Sequence, residues 1–166
     1  ENMSLALAES LANQGYGFVY EMSFGNGGTS VDPTGIVTYL TPNSTGTNAS
    51  LYNQTFTKVV DDRSTSNTDP VRNKIETRHV SGTNYTDVVV TCLLDYGEPA
   101  GQDAFDTAGS SENLYVFDEL GLRSYSESGT GRLMTHVIFH PVQKSLNRLI
   151  QIDYTVRIQS LSGVEG

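Results

Sequence analysis

Residues 148–159, RLIQIDYTVRIQ, alternate with a period of two. Ile150, Ile152, Tyr154, Val156 and Ile158 fall on one face, and Gln151, Asp153, Thr155, Arg157 and Gln159 on the other. A strand turns successive side chains to opposite faces, so this pattern predicts one with a buried and a wetted side. Less regular runs rich in β-branched and aromatic residues recur at 16–24, 51–60, 71–80, 85–96, 114–122 and 132–140, separated by turn-rich segments. One helix is predicted over 4–14. Leu5, Ala8, Leu11 and Ala12 recur at helical spacing, Ser4 stands at the N-cap, and Asn13 and Gly15 end it. From 25 to 50 the chain is dominated by Gly, Thr, Asn and Pro and broken only by the short strand pattern GIVTYL at 35–40. That stretch reads as a protruding polar loop or arm. It opens on GNGG, a turn in which Gly25, Gly27 and Gly28 are expected to accept positive φ. Further turn-rich stretches lie at 41–50 and 97–112. The pattern predicts an all-β domain, a mainly antiparallel sandwich or barrel-like body, with one short N-terminal helix and long Gly/Thr/Asn-rich loops. A single domain over 1–166, with its β-core over about 51–159, accounts for the chain.

Composition narrows the function classes. Lys and Arg number 10 against 19 Asp and Glu, for a net charge of −9, and the basic residues are scattered. That balance opposes binding to nucleic acid or to an anionic membrane, both of which need basic patches. No apolar run reaches the roughly 18 residues of a membrane span. The apolar stretch 4–12 contains Glu9 and lacks a basic flank, so it reads as a helix and not as a signal peptide. Cys92, the single cysteine, lies in DVVVTCLL and reads as a buried thiol with no intrachain disulfide partner.

The run YVFDELGLRS, 115–124, sets Asp118 and Glu119 among large apolar residues, where a carboxylate must be satisfied by the fold or used in chemistry. On a regular strand, neighbours point apart. Val116, Asp118 and Leu120 would share one face, and Tyr115, Phe117 and Glu119 the other. Two carboxyls so disposed cannot face each other across a glycosidic bond at roughly 5–9 Å. The expectation is therefore structural: one carboxylate, Glu119, turns inward and takes backbone N–H groups or a cation as partners.

Other constellations are weaker. His136 and His140 have the spacing of two metal ligands on a helix. Their context, THVIFHP, is that of a strand, on which they lie about 13 Å apart. His79 reads as a surface residue. Asp61, Asp62 and Asp69 with Ser64, Thr65 and Asn67 offer oxygen donors, but without the order and central glycine of a calcium loop. GNGGTS lacks the lysine of a phosphate-binding loop, and SESGTG at 126–131 lacks the nucleophile-elbow pattern. Asn43, Asn48, Asn53 and Asn84 match the glycosylation triplet at a rate expected by chance in so Ser/Thr-rich a chain. No catalytic set, metal or cofactor is predicted, and the chain is read as a non-enzyme.

Several short segments, in this order, resemble the collar-type domain of tailed-bacteriophage tail-fibre and baseplate-associated proteins. A helix leads into a strand ending SFGNGGT, LYNQT follows with Lys58, then VFDELGL, then GRLMTHVIFHPVQKS and a final alternating strand. The similarity runs as spaced motifs over most of the chain. It is strongest at Phe117, Glu119, Gly121 and Leu122, followed by Phe139, Pro141 and Lys144. The resemblance implies a virion structural protein, assembled in the host cytoplasm, whose partners are other virion proteins and copies of itself in a homo-oligomer. No fibre shaft or receptor-binding region follows within these 166 residues. That shifts the expectation from host recognition towards subunit contacts in the tail, baseplate, neck or collar. Glu119, ahead of Gly121, is expected to accept N–H bonds from the turn that follows it, with Lys144 or Arg148 as counter-charge. One alternative is a capsid decoration protein. Another, from a different class, is a carbohydrate-binding sandwich that uses Tyr16, Tyr20, Tyr39, Tyr52 and Tyr125, since the chain has no Trp.

Overall fold

A computed structural model describes residues 1–43, 46–99 and 114–161. Of the turn-rich stretch 97–112, only 97–99 falls within them. Helix α1 (Asn2–Leu11) is followed by nine strands: β1 (Val19–Gly25), β2 (Thr29–Val31), β3 (Val37–Tyr39), β4 (Gln54–Val59), β5 (Lys74–His79), β6 (Tyr85–Leu94), β7 (Leu114–Ser124), β8 (Val137–Ser145) and β9 (Ile150–Gln159). One sheet has the order β4-β1-β7-β8, a second β5-β6-β9, and β2 with β3 forms a separate hairpin. Every pairing is antiparallel. The two larger sheets are open and pack face to face, as expected of a sandwich-like all-β fold.

The core lies between them. Met22 and Phe24 of β1 and Tyr115, Phe117, Leu120 and Leu122 of β7 meet Val90, Cys92 and Leu94 of β6, all buried. Phe117 packs edge-on against both Phe24 and Phe139, at ring-centroid distances of 5.4 and 5.7 Å. Burial of each such side chain contributes roughly 1.5–3 kcal/mol. In β7 the buried apolar positions are odd-numbered at 115 and 117 and even-numbered at 120 and 122. The pairing with β8 breaks register between Phe117 and Glu119. An irregularity at Asp118–Glu119 therefore re-aims the strand, which a regular strand pattern does not foresee.

Strand β9 keeps its predicted alternation from Ile150 to Arg157, while Ile158, expected on the inner face, is exposed at the strand's end; β9 pairs with β6 at ten consecutive positions. Elsewhere the boundaries move for identifiable reasons. The run 132–140 does not end at Pro141, because β8 begins at Val137 and continues through Pro141 to Ser145. That is permitted because β8 is an edge strand, and Pro141 falls inside the break of register, where no ladder N–H is needed. Helix α1 starts earlier than predicted. Glu1 is its N-cap and makes no side-chain cap bond, while the Ser4 hydroxyl donates to the Glu1 carbonyl at 2.8 Å. The helix also ends earlier, at Leu11 and not at 14, and the chain turns out of it through Asn13 at φ 54° and Gly15 at φ 81°, the residues expected to end it. The arm is more ordered than its composition suggests. β2 and β3 pair across Thr29–Tyr39, and Asp32 Oδ1 accepts the N–H groups of Thr34 and Ile36 to close the tip.

Candidate functional site

The site is a clamp where β1, β7 and the arm meet. Glu119 lies opposite Gly25 in the β1–β7 ladder, so its side chain stands where the chain leaves β1. Both of its oxygens are used. Oε2 accepts N–H bonds from Gly27 and Asn53, each at 2.9 Å. Oε1 accepts from Tyr52 N–H at 2.8 Å and pairs with His136 Nε2 at 2.7 Å. Asp118 holds the next residues of the same segment: Oδ1 accepts from Gly28 N–H and Oδ2 from Thr29 N–H, each at 2.9 Å, with the Thr29 hydroxyl also on Oδ2 at 2.5 Å. Glu119 is fully buried and Asp118 nearly so, with 3% exposure.

The expectation that one carboxylate alone turns inward is corrected: both do. The segment 27–29 runs from the Tyr52–Asn53 side, where Gly27 lies, to Ile138 of β8, against which Gly28 lies. It thereby presents consecutive N–H groups to two carboxylates that a regular strand would aim apart.

His136 sets the electrostatics. Its Nδ1 accepts the Asn43 N–H at 2.7 Å, so that nitrogen carries no proton, and Nε2–H is the donor to Glu119. The Glu–His pair has side-chain exposures of 0% and 1%. Burial pushes the Glu119 carboxyl up, but the bonds from His136, Asn53, Tyr52 and Gly27 outweigh it, so the group ionises below the ordinary glutamate range. A carboxylate orienting an imidazole is also how a catalytic base is held. Here the far ring nitrogen is occupied by a backbone N–H, and no carboxylate oxygen is left unbonded. The arrangement holds backbone in place.

The glycines serve by absence of bulk. Gly25, Gly27 and Gly28 are not in the left-handed region, which corrects the turn expectation. A Cβ on Gly25 would stand 2.4 Å from the Asn53 carbonyl oxygen and 2.7 Å from Glu119 Oε2. One on Gly27 would stand 2.8 Å from Tyr52 Cβ. Backbone must come this close for its N–H groups to reach the carboxylates. Gly121 is similar, since a Cβ there would fall 2.2 Å from the Thr135 carbonyl oxygen. Leu122 is buried beside it.

Lys144 is not the partner of Glu119, and the N–H donors do not come from the following turn. Lys144 is fully buried, and its Nζ donates to the carbonyls of Asp95, Glu98 and Ser145 at 2.9, 2.7 and 2.7 Å. Burial pushes its ammonium below the ordinary lysine range, against the opposing pull of Glu98 and Asp95. It ties the turn after β6 to β8. Arg148 is exposed. Lys58 supplies a second tie to that turn, donating to the Leu93 carbonyl and pairing with Glu98 at 2.5 Å.

The remaining candidates separate. The His136 side chain is buried ahead of β8, whereas His140 is exposed within it, and His79 is exposed. Asp61 accepts its own loop's Arg63 N–H, and Asp69 pairs with Arg72. Among the described residues, no group of three or more His, Cys, Asp or Glu could hold a metal ion. The five tyrosines do not make one platform. Tyr20 and Tyr125 pack together at 5.2 Å, Tyr39 sits on the arm, and Tyr52 donates its hydroxyl to the Thr41 carbonyl. Sequence reasoning weighed His136 only as a metal ligand and missed both its bond to Glu119 and the Tyr52–Asn53 donors. The signals for them were a histidine within an apolar run and a tyrosine at the head of a strand pattern that starts late.

Family models, curated proteins and solved structures were all searched, and no match to this chain was found in any of them. What fold and site define is an all-β sandwich-like domain carrying a clamped hairpin arm.

Proposed function

We propose that this chain is a structural component of a tailed-phage virion and mediates subunit contacts in the tail, baseplate, neck or collar. The observation that carries the reading is the arm. Its base is fixed by seven hydrogen bonds to Asp118 and Glu119, two of them from Tyr52 and Asn53 and one from His136. Its hairpin nevertheless carries Val31, Ile36, Tyr39 and Leu40 to the surface, with Val31 and Ile36 more than 60% exposed. Holding apolar side chains in water on a rigid hairpin costs free energy that a docked neighbour would recover. A preorganised arm also loses less entropy on docking than a mobile loop. The spaced motifs that resemble the collar-type domain, from Phe117 to Lys144, support the same reading and supply its virion setting.

Quantitative mass spectrometry of purified particles tests it. A ring's worth of copies per particle supports the tail, neck or collar placement. A copy at every capsid lattice site favours the decoration alternative. Absence from washed particles overturns the reading. A Val31→Asp/Ile36→Asp variant, altered only at exposed positions, is expected to fold normally and fail to incorporate. Incorporation at the normal level would remove the arm from the proposal.

A further inference from the structure

The two larger sheets present four outer strands: β4, β8, β5 and β9. Three of them are blunted in the ways that usually block edge-to-edge pairing. β4 breaks register against β1, β8 contains Pro141 and an irregular register, and β5 is six residues long with Lys74, Glu76 and Arg78 along it. β9 has neither a break of register nor a proline, and its two charges, Asp153 and Arg157, are of opposite sign. It runs ten residues in unbroken register with β6 and contains no Pro and no Lys.

Ser160 N–H donates to the Asn84 carbonyl at 2.7 Å, continuing the register in which Gln159 faces Tyr85. Hydrogen-bonding alternates along an antiparallel ladder, so the even-numbered residues of β9 bond to β6. Gln151, Asp153, Thr155, Arg157 and Gln159 therefore turn their N–H and C=O groups outward. All five are exposed, and nothing among the described residues pairs with them along this edge.

The strand is close to self-complementary about Thr155. Gln151 mirrors Gln159, Ile152 mirrors Ile158, Tyr154 mirrors Val156, and Asp153, negative, mirrors Arg157, positive. Those two are the strand's only charges. Antiparallel pairing with a second β9 about a two-fold axis through Thr155 would use the whole edge from Gln151 to Gln159. The same register places each Asp153 opposite the Arg157 of the other copy. Arg157 engages Asp87 through Nε and Nη2, and Asp153 accepts from Thr91, so each already has a partner on β6, and cross-pairing in the dimer would add to or exchange with those contacts.

We infer that the outer edge of β9 is a self-association site, joining two copies into a continuous six-stranded sheet, β5-β6-β9-β9-β6-β5. The inference goes beyond the virion reading and stands on β9 alone, so failure of either leaves the other intact.

Oxidative cross-linking of the purified chain tests it. In a hydrogen-bonded antiparallel pair the facing Cα atoms lie about 5.5 Å apart, inside the disulfide range of roughly 4.4–6.8 Å. Thr155→Cys is exposed and faces itself across the axis, so it should give a covalent dimer of twice 18.0 kDa under mild oxidation. Gln151→Cys should not, because its copies would lie about 27 Å apart, eight residues at about 3.4 Å each. Cys92 is fully buried and takes no part. Without cross-linking, Asp153→Arg sets like charges opposite one another and should weaken dimerisation about tenfold or more, and adding Arg157→Asp should restore it. Thr155→Cys remaining monomeric, or Gln151→Cys cross-linking as readily, overturns the inference. So does an Asp153→Arg chain that dimerises as tightly as the unaltered one.

Discussion

Replacing Glu119 with Gln changes one atom and almost no volume, which makes it a clean perturbation of the clamp. The carboxylate takes two donors on each oxygen: Gly27 and Asn53 N–H on Oε2, Tyr52 N–H and His136 Nε2–H on Oε1. Whichever oxygen becomes the amide nitrogen, two buried donors lose their acceptor and meet an NH₂ instead. His136 cannot change tautomer to relieve this, because Nδ1 is committed to the Asn43 N–H. A buried donor left without a partner costs about 1–3 kcal/mol, so Glu119→Gln should destabilise the domain by about 2–6 kcal/mol. For a domain of this size that is a fall of roughly 5–20 °C in Tm. Urea unfolding followed by far-UV circular dichroism reads the loss directly. The wild-type curve carries a second signature. The folded-state ionisation of Glu119 lies below its unfolded value, so its contribution is complete above the ordinary glutamate range and is lost as pH falls below it. The Gln variant should lack that acid-side component. A variant within about 0.5 kcal/mol of wild type, with an unchanged acid limb, would refute the clamp, since surface substitutions commonly fall in that range.

Further outcomes follow from the same geometry. Asp118→Asn should cost less than Glu119→Gln, about 1–3 kcal/mol, because the amide can be placed so that only Gly28 N–H loses its acceptor; equal or larger loss in urea melts would contradict this. Gly121→Ala places a methyl 2.2 Å from the Thr135 carbonyl oxygen, and the thermal midpoint should drop by an amount equivalent to about 1–3 kcal/mol or more. Lys144→Met keeps the stem but leaves three carbonyls without their donor, for an expected loss of about 2–4 kcal/mol in urea melts. Cys92, fully buried with its thiol pushed up to about 12 by burial, should resist a thiol reagent at neutral pH until the protein is unfolded.

The β-rich body and its final strand are legible in the sequence because period-two alternation reports a half-buried surface directly, as Ile150 to Val156 show. The chemistry of 115–124 is legible only in part. Apolar neighbours correctly imply that Glu119 must be satisfied inside the fold. Its partners come from residues 27, 52, 53 and 136, which lie up to 92 positions away and carry no local mark of the contact. Asp118 is misassigned to an outer face because the irregularity in β7 and the crossing of segment 27–29 are tertiary events that alternation cannot encode. The glycines of GNGG are visible as special, but a sequence offers positive φ as the simplest reason. Their close approach to Asn53 and Tyr52 appears only once the strands are placed. Lys144 is similar: its burial within an edge strand follows from three carbonyls that converge from the turn after β6 and from β8 itself.

The claim at the centre of this account is that Asp118 and Glu119 are spent on holding the base of the arm. Residue-resolved amide hydrogen exchange tests it most directly. In the wild-type protein the amides of Gly27, Gly28, Thr29, Tyr52 and Asn53 should be protected, although they lie outside or at the ends of regular strands. In Glu119→Gln, protection should fall at Gly27, Tyr52 and Asn53 by more than the amides of β6 from Val88 to Leu94 lose through the lower global stability. Unprotected amides at these positions in the wild type, or unchanged protection in the variant, would contradict the account.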